Sequence, residues 1–176
     1  MKSRYVPPDE MDCVLMCLTP ANRLVCRVCL HTGLRVGDVL ALKPDMLKAD
    51  SFTIREQKTG KHKRVRLPAQ LRRDLLAQSG AVWVFEGRTD PQKHRTRQAV
   101  WADMVHAARA LRLKPQATPH STRKDYAVRK YHACGSLSAV QKALNHDNSI
   151  VTMLYALADQ LPLDKPSRCR KSVKGA

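Results

Sequence analysis

The sequence predicts a single, mainly α-helical domain of the α+β class, a helical bundle that carries one small antiparallel β-sheet. Segments with helical apolar spacing, bounded by proline and glycine, account for most of the 176 residues. Two alternating segments, 51–56 and 63–67, flank a Thr-Gly turn and are typical of a β-hairpin. No internal repeat or long interior linker divides the chain. We therefore expect one domain over residues 1–161 and a basic tail over residues 162–176.

Each helix is predicted from the signals at its ends. Proline and acidic residues favour the first turn of a helix, and glycine favours the position after its last turn. Pro8 opens the first helix, and Gly33 and Gly135 close two others. The predicted helices cover about 8–18, 20–33, a short stretch around 38, 68–78, 96–113, 120–133, 136–144 and 147–160. Residues 81–85 are expected to form a short strand or a buried extended segment.

The chain is strongly basic. Its 32 lysines and arginines against 15 acidic residues give a formal net charge of +17. Such a balance favours a polyanionic partner, and DNA, RNA or an acidic membrane surface would each satisfy it. The sequence has neither an apolar run long enough to span a membrane nor a signal peptide. We therefore expect a soluble, cytoplasmic protein that does not enter a membrane.

Four of the six cysteines, Cys13, Cys17, Cys26 and Cys29, lie close together and include a Cys-x-x-Cys pair. That spacing raises the alternative of a zinc site. Both pairs fall in predicted helices, at intervals that place the two members of each pair on one helix face. We therefore expect reduced thiols in the apolar core and no bound metal.

Six side chains at particular intervals carry the functional hypothesis. A tyrosine follows a histidine by nine residues, and a His-Ser-Thr-Arg quartet precedes both. An arginine lies in Thr-Gly-Leu-Arg-Val-Gly-Asp, and a lysine lies in Lys-Thr-Gly-Lys. Such groups can surround a phosphate, because the cations donate charge-assisted hydrogen bonds to its oxygens. The tyrosine hydroxyl can then act as a nucleophile on the phosphorus. The six residues are Arg35, Lys58, His120, Arg123, His146 and Tyr155.

This set, in this order, resembles the active site of the tyrosine recombinases, the phage integrase family. The resemblance covers residues 8–161 and implies the fold that the end signals predict. It also implies a site-specific recombinase that breaks and rejoins duplex DNA, in integration, excision or inversion. Tyr155 would then be the nucleophile that forms a covalent 3′-phosphotyrosine. One local departure is Asn145, which stands where glycine is usual before the second histidine and which also tolerates positive φ.

The resemblance implies a role for each remaining residue. Arg35 and Arg123 would clamp the phosphate oxygens, and Asp38, one turn after Arg35, would support that arginine. His120 would take part in proton transfer with the nucleophile, and His146 would donate to a non-bridging oxygen. Lys58 would protonate the 5′ leaving oxygen, although two other lysines of the same hairpin, at 61 and 63, could exchange roles with it. No cofactor and no metal take part in this scheme.

The other basic residues of the central segment are expected to contact the DNA backbone and to position it without selecting a sequence. These residues are Lys61, Lys63, Arg64, Arg66, Arg72, Arg73, Lys93, Arg95 and Arg97. Aromatic residues are few, with two Trp and two Phe, so a stacking platform for single strands has little support. Duplex DNA is therefore the expected partner.

Family members usually carry a separate N-terminal helical domain that closes around DNA. Only a few residues precede Pro8, so we expect a short form without that domain. Its activity would then depend on a homo-oligomer, a tetramer on two DNA sites, with the segment from Leu157 onward docking on a neighbouring protomer.

Three other functions stay open from the sequence alone. A type IB topoisomerase would use the same chemistry to relax supercoils as a monomer. A non-catalytic DNA-binding regulator or accessory factor would retain the fold. An RNA-binding protein has only the basic charge in its favour.

Overall fold

The computed structural model describes residues 5–113 and 117–160, and the predicted tail at 162–176 lies outside them. Within these ranges the chain forms eight α-helices and one two-stranded antiparallel sheet, which confirms the mainly helical fold with a single hairpin. No helix among these residues is long and apolar enough to cross a membrane. In chain order the elements are α1 Pro8–Cys17, α2 Pro20–Thr32, α3 Val36–Leu40, a 3₁₀ turn Pro44–Leu47, β1 Ser51–Arg55, β2 His62–Arg66, α4 Ala69–Gln78, α5 Arg97–Ala110, α6 Pro119–Cys134, α7 Leu137–Leu144 and α8 Ser149–Ala156.

The helix ends follow the local signals in the sequence. Pro8 and Pro20 occupy first-turn positions, where the missing N–H of proline is harmless. Gly33 and Gly135 end α2 and α6 in the left-handed conformation, at φ 67° and 63°. Asn148 caps α8 by accepting hydrogen bonds from the first backbone N–H groups of that helix. These ends were predictable because each depends on a few neighbouring residues.

Two predicted elements differ from the structure. Residues 81–85 do not form the strand that was one of the two predicted alternatives; Val84 and Phe85 are buried, Val84 donates one backbone hydrogen bond to Leu42 O at 2.9 Å, and Glu86 forms an isolated bridge with His94. The last helix ends at Ala156 and not near Gln160. Beyond Leu157 the backbone N–H groups of residues 158 and 160 donate to the carbonyls three residues earlier, at 155 and 157. This is the 3₁₀ pattern, so the α-helix has ended.

The hairpin pairs β1 with β2 in the register Ser51↔Arg66 to Arg55↔His62. Alternate side chains of a strand point to opposite faces. On β2 the inward positions are therefore 63 and 65, and the outward positions are exposed arginines and a histidine. Residues 56–61, which we call the hairpin tip, connect the strands and include Gly60 at φ 67°.

The apolar core consists of two clusters. The larger cluster combines α1, α2, α3, the sheet, α4 and α5, with Met11, Leu40, Leu75, Phe85 and Met104 among its fully buried members. The smaller cluster joins α6, α7 and α8 through Ala127, Val140, Leu144 and Ala156. Helices α2 and α6 pack together and connect the two clusters.

The prediction of four core thiols is wrong for one pair. Cys26 and Cys29 are buried, but Cys13 and Cys17 are exposed. Helix α1 buries the face that carries Met11, Val14 and Leu15, and both α1 cysteines lie off that face. Residue spacing shows which side chains share a helix face, but not which face turns inward. Within residues 5–113 and 117–160 no group of three potential ligands is arranged to hold a metal ion.

Candidate active site

A cleft with a volume of about 660 Å³ opens between α3, the hairpin tip, α5 and the start of α6. Four of the six residues predicted for the site line it: Arg35, Lys58, His120 and Arg123. Arg97 and Trp101 of α5 complete its wall. The cleft therefore brings together cationic and titratable groups from four separate stretches of the chain.

Arg35 reaches the cleft because α2 stops at Gly33 and the chain turns into α3. The Arg35 guanidinium donates from Nη1 to Glu56 Oε2 at 2.6 Å. The Glu56 side chain is fully buried, whereas Arg35 keeps 21% of its side-chain surface exposed. Arg35 thus has a carboxylate on one side and the open cleft on the other.

Asp38 makes its hydrogen bond to the hairpin tip, although it lies within electrostatic range of Arg35. Among the described residues no ion pair joins these two side chains; instead Asp38 Oδ1 accepts a hydrogen bond from the backbone N–H of Gln57 at 2.9 Å. Burial raises the pKa of Asp38 above its ordinary value, and the Gln57 N–H opposes that rise. The i, i+3 spacing of Arg35 and Asp38 suggested a pair, but α3 directs the Asp38 carboxylate toward the hairpin tip.

Arg123 is held in a nearly closed environment on α6, and only 3% of the residue is exposed. Its guanidinium donates from Nη1 to Gly33 O and from Nη2 to Leu144 O, the latter at 2.5 Å. Burial, with the nearby Arg35, lowers the pKa of Arg123 to about 10, so this side chain stays charged at neutral pH. Arg123 therefore ties the end of α2 to the end of α7 while its edge borders the cleft.

Both histidines favour the neutral form. Partial burial, followed by repulsion from Arg123 and Arg35, lowers the pKa of His120. The same causes lower the pKa of His146 to about 4. His120 lines the cleft, so its neutral ring is available to accept a proton at neutral pH.

His146 and Tyr155 lie next to each other, beside the cleft and not in its wall. Their rings meet edge to face with centroids 5.3 Å apart. Asn145, left-handed at φ 51°, ends α7 and turns the chain so that His146 Nδ1 lies 3.2 Å from Thr152 Oγ1. A Tyr155 phenolate would raise the pKa of Arg123, which places the two groups within electrostatic range.

The three hairpin lysines have three different environments. Lys58 is exposed at the tip and lines the cleft, and Lys61 forms an ion pair with Asp147. Lys63 is turned inward: its ammonium donates to Thr32 O at 2.7 Å and to Ala143 O at 2.5 Å. Burial lowers the pKa of Lys63 to about 8, with a further contribution from Arg123.

These bonds do not agree with the prediction that Lys63 contacts the DNA backbone. Lys63 alternates with Val65 on the inward face of β2, so its side chain points away from solvent. Arg95 is also turned toward the protein, where its guanidinium donates to Asn22 Oδ1 at 3.3 Å, and Arg72 forms an ion pair with Asp50. The exposed members of the predicted set are Lys61, Arg64, Arg66, Arg73, Lys93 and Arg97.

Glu56 is the site residue that the sequence prediction missed. It stands two residues after Ile54, on the side of β1 that faces the core, and it is completely buried. An acid at an inward strand position is unusual unless a charged group pairs with it. That alternation was the signal that could have identified Glu56.

Comparison with known proteins identifies the family and the fold. A model of the phage integrase family matches residues 8–161. The chain is 26% identical over 152 residues to the integrase of Escherichia phage P2, a match that covers 86% of this chain and 42% of that protein. It is also 26% identical to the tyrosine recombinase XerD of Lacticaseibacillus casei, over 76% of this chain and 49% of that protein. The chain spans about half the length of the relatives it matches.

Solved structures share the fold at lower sequence identity. XerA recombinase superimposes with a TM-score of 0.71 at 16% identity, covering 90% of this chain and 64% of that one. A lambda integrase dimer bound to a COC′ core site gives a TM-score of 0.73 at 18% identity, covering 96% of this chain and 52% of that one.

Proposed function

Because the chain belongs to the phage integrase family, we propose that it is a site-specific recombinase that breaks and rejoins duplex DNA through a covalent 3′-phosphotyrosine. The observation that carries the proposal is the cleft in which Arg35, Lys58, His120 and Arg123 meet, with Tyr155 beside it. Residues 1–161 would form the catalytic unit, and residues 162–176 a basic tail. The protein would act in the cytoplasm, where its DNA lies.

In the cleavage step the Tyr155 phenol oxygen attacks the scissile phosphorus while the bond to the 5′ oxygen breaks. The phenol proton passes to the neutral His120 ring, and Lys58 delivers a proton to the departing 5′ oxygen. The new phosphodiester to tyrosine conserves the free energy of the broken bond. Attack by a 5′ hydroxyl then reverses each transfer and rejoins the strand.

Arg35 and Arg123 would stabilise the extra negative charge on the phosphorus oxygens in the transition state. Arg123 uses two nitrogens on backbone carbonyls, so its position is fixed before DNA arrives. Preorganised donors of this kind need little rearrangement during the reaction. A bound phosphate would also offset the repulsion between the two arginines that lowers the pKa of Arg123.

His146 would donate a hydrogen bond to a non-bridging oxygen. Thr152 Oγ1 can donate to Asn148 O, at 3.2 Å, and then accepts from His146 Nδ1. In that arrangement the opposite ring nitrogen carries no proton while His146 is neutral. Phosphate binding would raise the pKa of His146, so that the opposite ring nitrogen takes up a proton from solvent and donates it in the hydrogen bond.

Duplex DNA would be the partner, and a tetramer on two sites would be the active assembly. Exposed basic side chains on the hairpin and at the start of α5 support the first part. Helix α8 supports the second, because it leaves Ile150, Met153 and Leu154 exposed beside the nucleophile. Neither a type IB topoisomerase nor a non-catalytic regulator is favoured by the family and structural similarities.

The test of this function is capture of the covalent intermediate. A library of duplexes with randomised sequence and a nick just downstream of each candidate phosphate lets the short 5′-hydroxyl fragment diffuse away, so cleaved complexes accumulate. We expect an SDS-resistant protein–DNA adduct that Tyr155→Phe abolishes. Tyr131→Phe is the control, because Tyr131 packs against the same small core cluster. An adduct that persists in Tyr155→Phe would contradict the assignment, and relaxation of supercoils without site preference would favour the topoisomerase.

A further inference from the structure

A buried carboxylate connects the arginine of the cleft to the hairpin that carries Lys58. Glu56 Oε2 accepts hydrogen bonds from Arg35 Nη1 at 2.6 Å and from Thr59 Oγ1 at 2.9 Å. One oxygen atom is therefore shared by the wall of the cleft and by the hairpin tip. We call these three side chains, Arg35, Glu56 and Thr59, the latch.

The backbone of the tip closes around the same residue. The Glu56 N–H donates to Lys61 O at 2.9 Å, and the Gly60 N–H donates to Glu56 O at 2.8 Å. At the next position, the Gln57 N–H donates to Asp38 Oδ1. Lys58 thus stands between Gln57, which is bonded to Asp38 of α3, and Thr59, which is bonded to the buried carboxylate of Glu56.

The buried charge of Glu56 is not explained by packing alone. Burying a carboxylate is unfavourable unless a cation and hydrogen bonds compensate. Arg35 provides the cation, yet Glu56 Oε1 is buried and has no hydrogen-bond partner among the described residues. An apolar residue of the same size would avoid that penalty but would hold neither Arg35 nor Thr59.

We infer that Glu56, acting through Thr59, is a positioning residue that holds the Lys58 backbone at a fixed place relative to Arg35. The inference rests on the proposed function, since it gives the latch the task of placing the proton donor where the 5′ oxygen departs. Arg35 touches the phosphate in that scheme, and Glu56 and Thr59 act only through their neighbours.

The first test uses the protein without DNA and follows hydrogen exchange of the tip amides. Thr59→Val removes the hydroxyl and keeps the side-chain shape, while Thr59→Ser keeps the hydroxyl. We expect the Gly60 amide, which donates to Glu56 O, to exchange roughly tenfold faster in Thr59→Val and Glu56→Gln than in wild type. Thr59→Ser should resemble wild type, and so should Thr53→Val, which removes an exposed hydroxyl from the same hairpin.

The second test separates positioning of the proton donor from a general loss of structure. A substrate with sulfur in place of the scissile 5′ oxygen has a thiol leaving group, with a pKa of about 8.5, which departs without a proton donor. We expect Thr59→Val to slow cleavage of the oxygen substrate by about 100-fold, the typical worth of general acid catalysis. Cleavage of the sulfur substrate should fall by less than ~3-fold, whereas Arg35→Gln should slow both substrates.

Two results would overturn the inference: unchanged exchange at the tip in Thr59→Val, or equal slowing of the two substrates. Failure of the proposed function would look different. Wild-type protein would then form no adduct with either substrate, while the exchange measurement would still decide whether the latch holds the tip.

Discussion

Lys63 is the residue whose environment departs most from what its type suggests. Its ammonium is bonded to Thr32 O and Ala143 O and lies 5.7 Å from the centre of the Tyr126 ring. These contacts connect the ends of α2 and α7, the same two elements that Arg123 connects one residue further along. Lys63 therefore supports the segment that leads to His146, and we do not expect it to contact DNA.

The pH dependence of stability tests this placement. The pKa of Lys63 is about 8 in the folded chain and near its ordinary 10.5 in the unfolded chain. Below pH 8 the charge is present in both states and its burial opposes folding in full. Between these pH values the unfolded chain alone holds the proton, so the free energy of unfolding rises with pH.

We expect wild type to gain stability relative to Lys63→Met between pH 8 and pH 10, by roughly 1–2 kcal/mol. Urea unfolding at closely spaced pH values measures the difference. Lys142→Met, at an exposed position on α7, is the control for loss of one positive charge. Parallel curves for wild type and Lys63→Met would place the Lys63 ammonium in solvent.

At the scale of elements, the two glycines that end helices differ in their surroundings. Gly33 and Gly135 both adopt positive φ, but a Cβ added at Gly33 would lie 2.4 Å from Tyr126 Cδ1, and one at Gly135 would meet nothing within 4 Å. The Gly33 carbonyl also accepts a hydrogen bond from Arg123. Gly33 is therefore a junction between α2, α3 and α6.

The matched substitutions Gly33→Ala and Gly135→Ala separate backbone strain from this close approach. Gly135→Ala should lower the free energy of unfolding by about 1 kcal/mol, the strain of alanine at positive φ. Gly33→Ala should lower it by at least ~2 kcal/mol, because the Tyr126 ring must move as well. Equal losses of unfolding free energy in chemical denaturation would mean that moving the Tyr126 ring costs no stability.

Comparison of particular elements shows how far the sequence could be interpreted. Helix starts and ends such as Pro20, Gly33 and Asn148 were predictable, because each depends on residues within one turn. The exposure of Cys13 was not, because it depends on which face of α1 meets the rest of the core. The inward position of Lys63 was predictable, because strand alternation places it on the same face as Val65, but its charge alone suggested contact with DNA.

The candidate site was predictable in its members but not in its connections. The intervals between motifs predicted Arg35, Arg123 and Tyr155 as members of one site; Arg35 and Arg123 line the cleft, and Tyr155 lies within electrostatic range of Arg123. That Arg35 is paired with Glu56 and not with Asp38 depends on how α3 packs against the hairpin. Such long-range pairing has no local signature in a single sequence.

At the scale of the whole molecule, the cations behind the formal charge of +17 differ in their exposure. Several cations, including Arg123 and Lys63, are bonded to backbone carbonyls inside the protein. Others, including Arg97 beside the cleft, are exposed. In the proposed function only the exposed cations and the arginines that border the cleft would contact phosphate, so the net charge overstates the number of phosphate contacts.

The salt dependence of duplex binding measures that number. Arg97 and Arg109 are both exposed and stand at opposite ends of α5, but only Arg97 lines the cleft. We expect Arg97→Gln to reduce the slope of log affinity against log salt by about 0.9, the value for one lost phosphate contact. Arg109→Gln should leave the slope unchanged. Equal slopes for the two variants would mean that DNA does not contact Arg97 in this cleft.

The division of the core into a large and a small cluster has a dynamic consequence. Among the described residues Tyr155 packs against the small cluster, whose fully buried members are three alanine or valine residues and one leucine. Little apolar surface opposes local opening there, so α8 can detach from α6 and α7 at a lower free energy than global unfolding requires. Tyr155, the proposed nucleophile, is therefore carried by the part of the domain that can open and close while the arginines remain in place. Strand cleavage would then be limited by how often this small unit is closed.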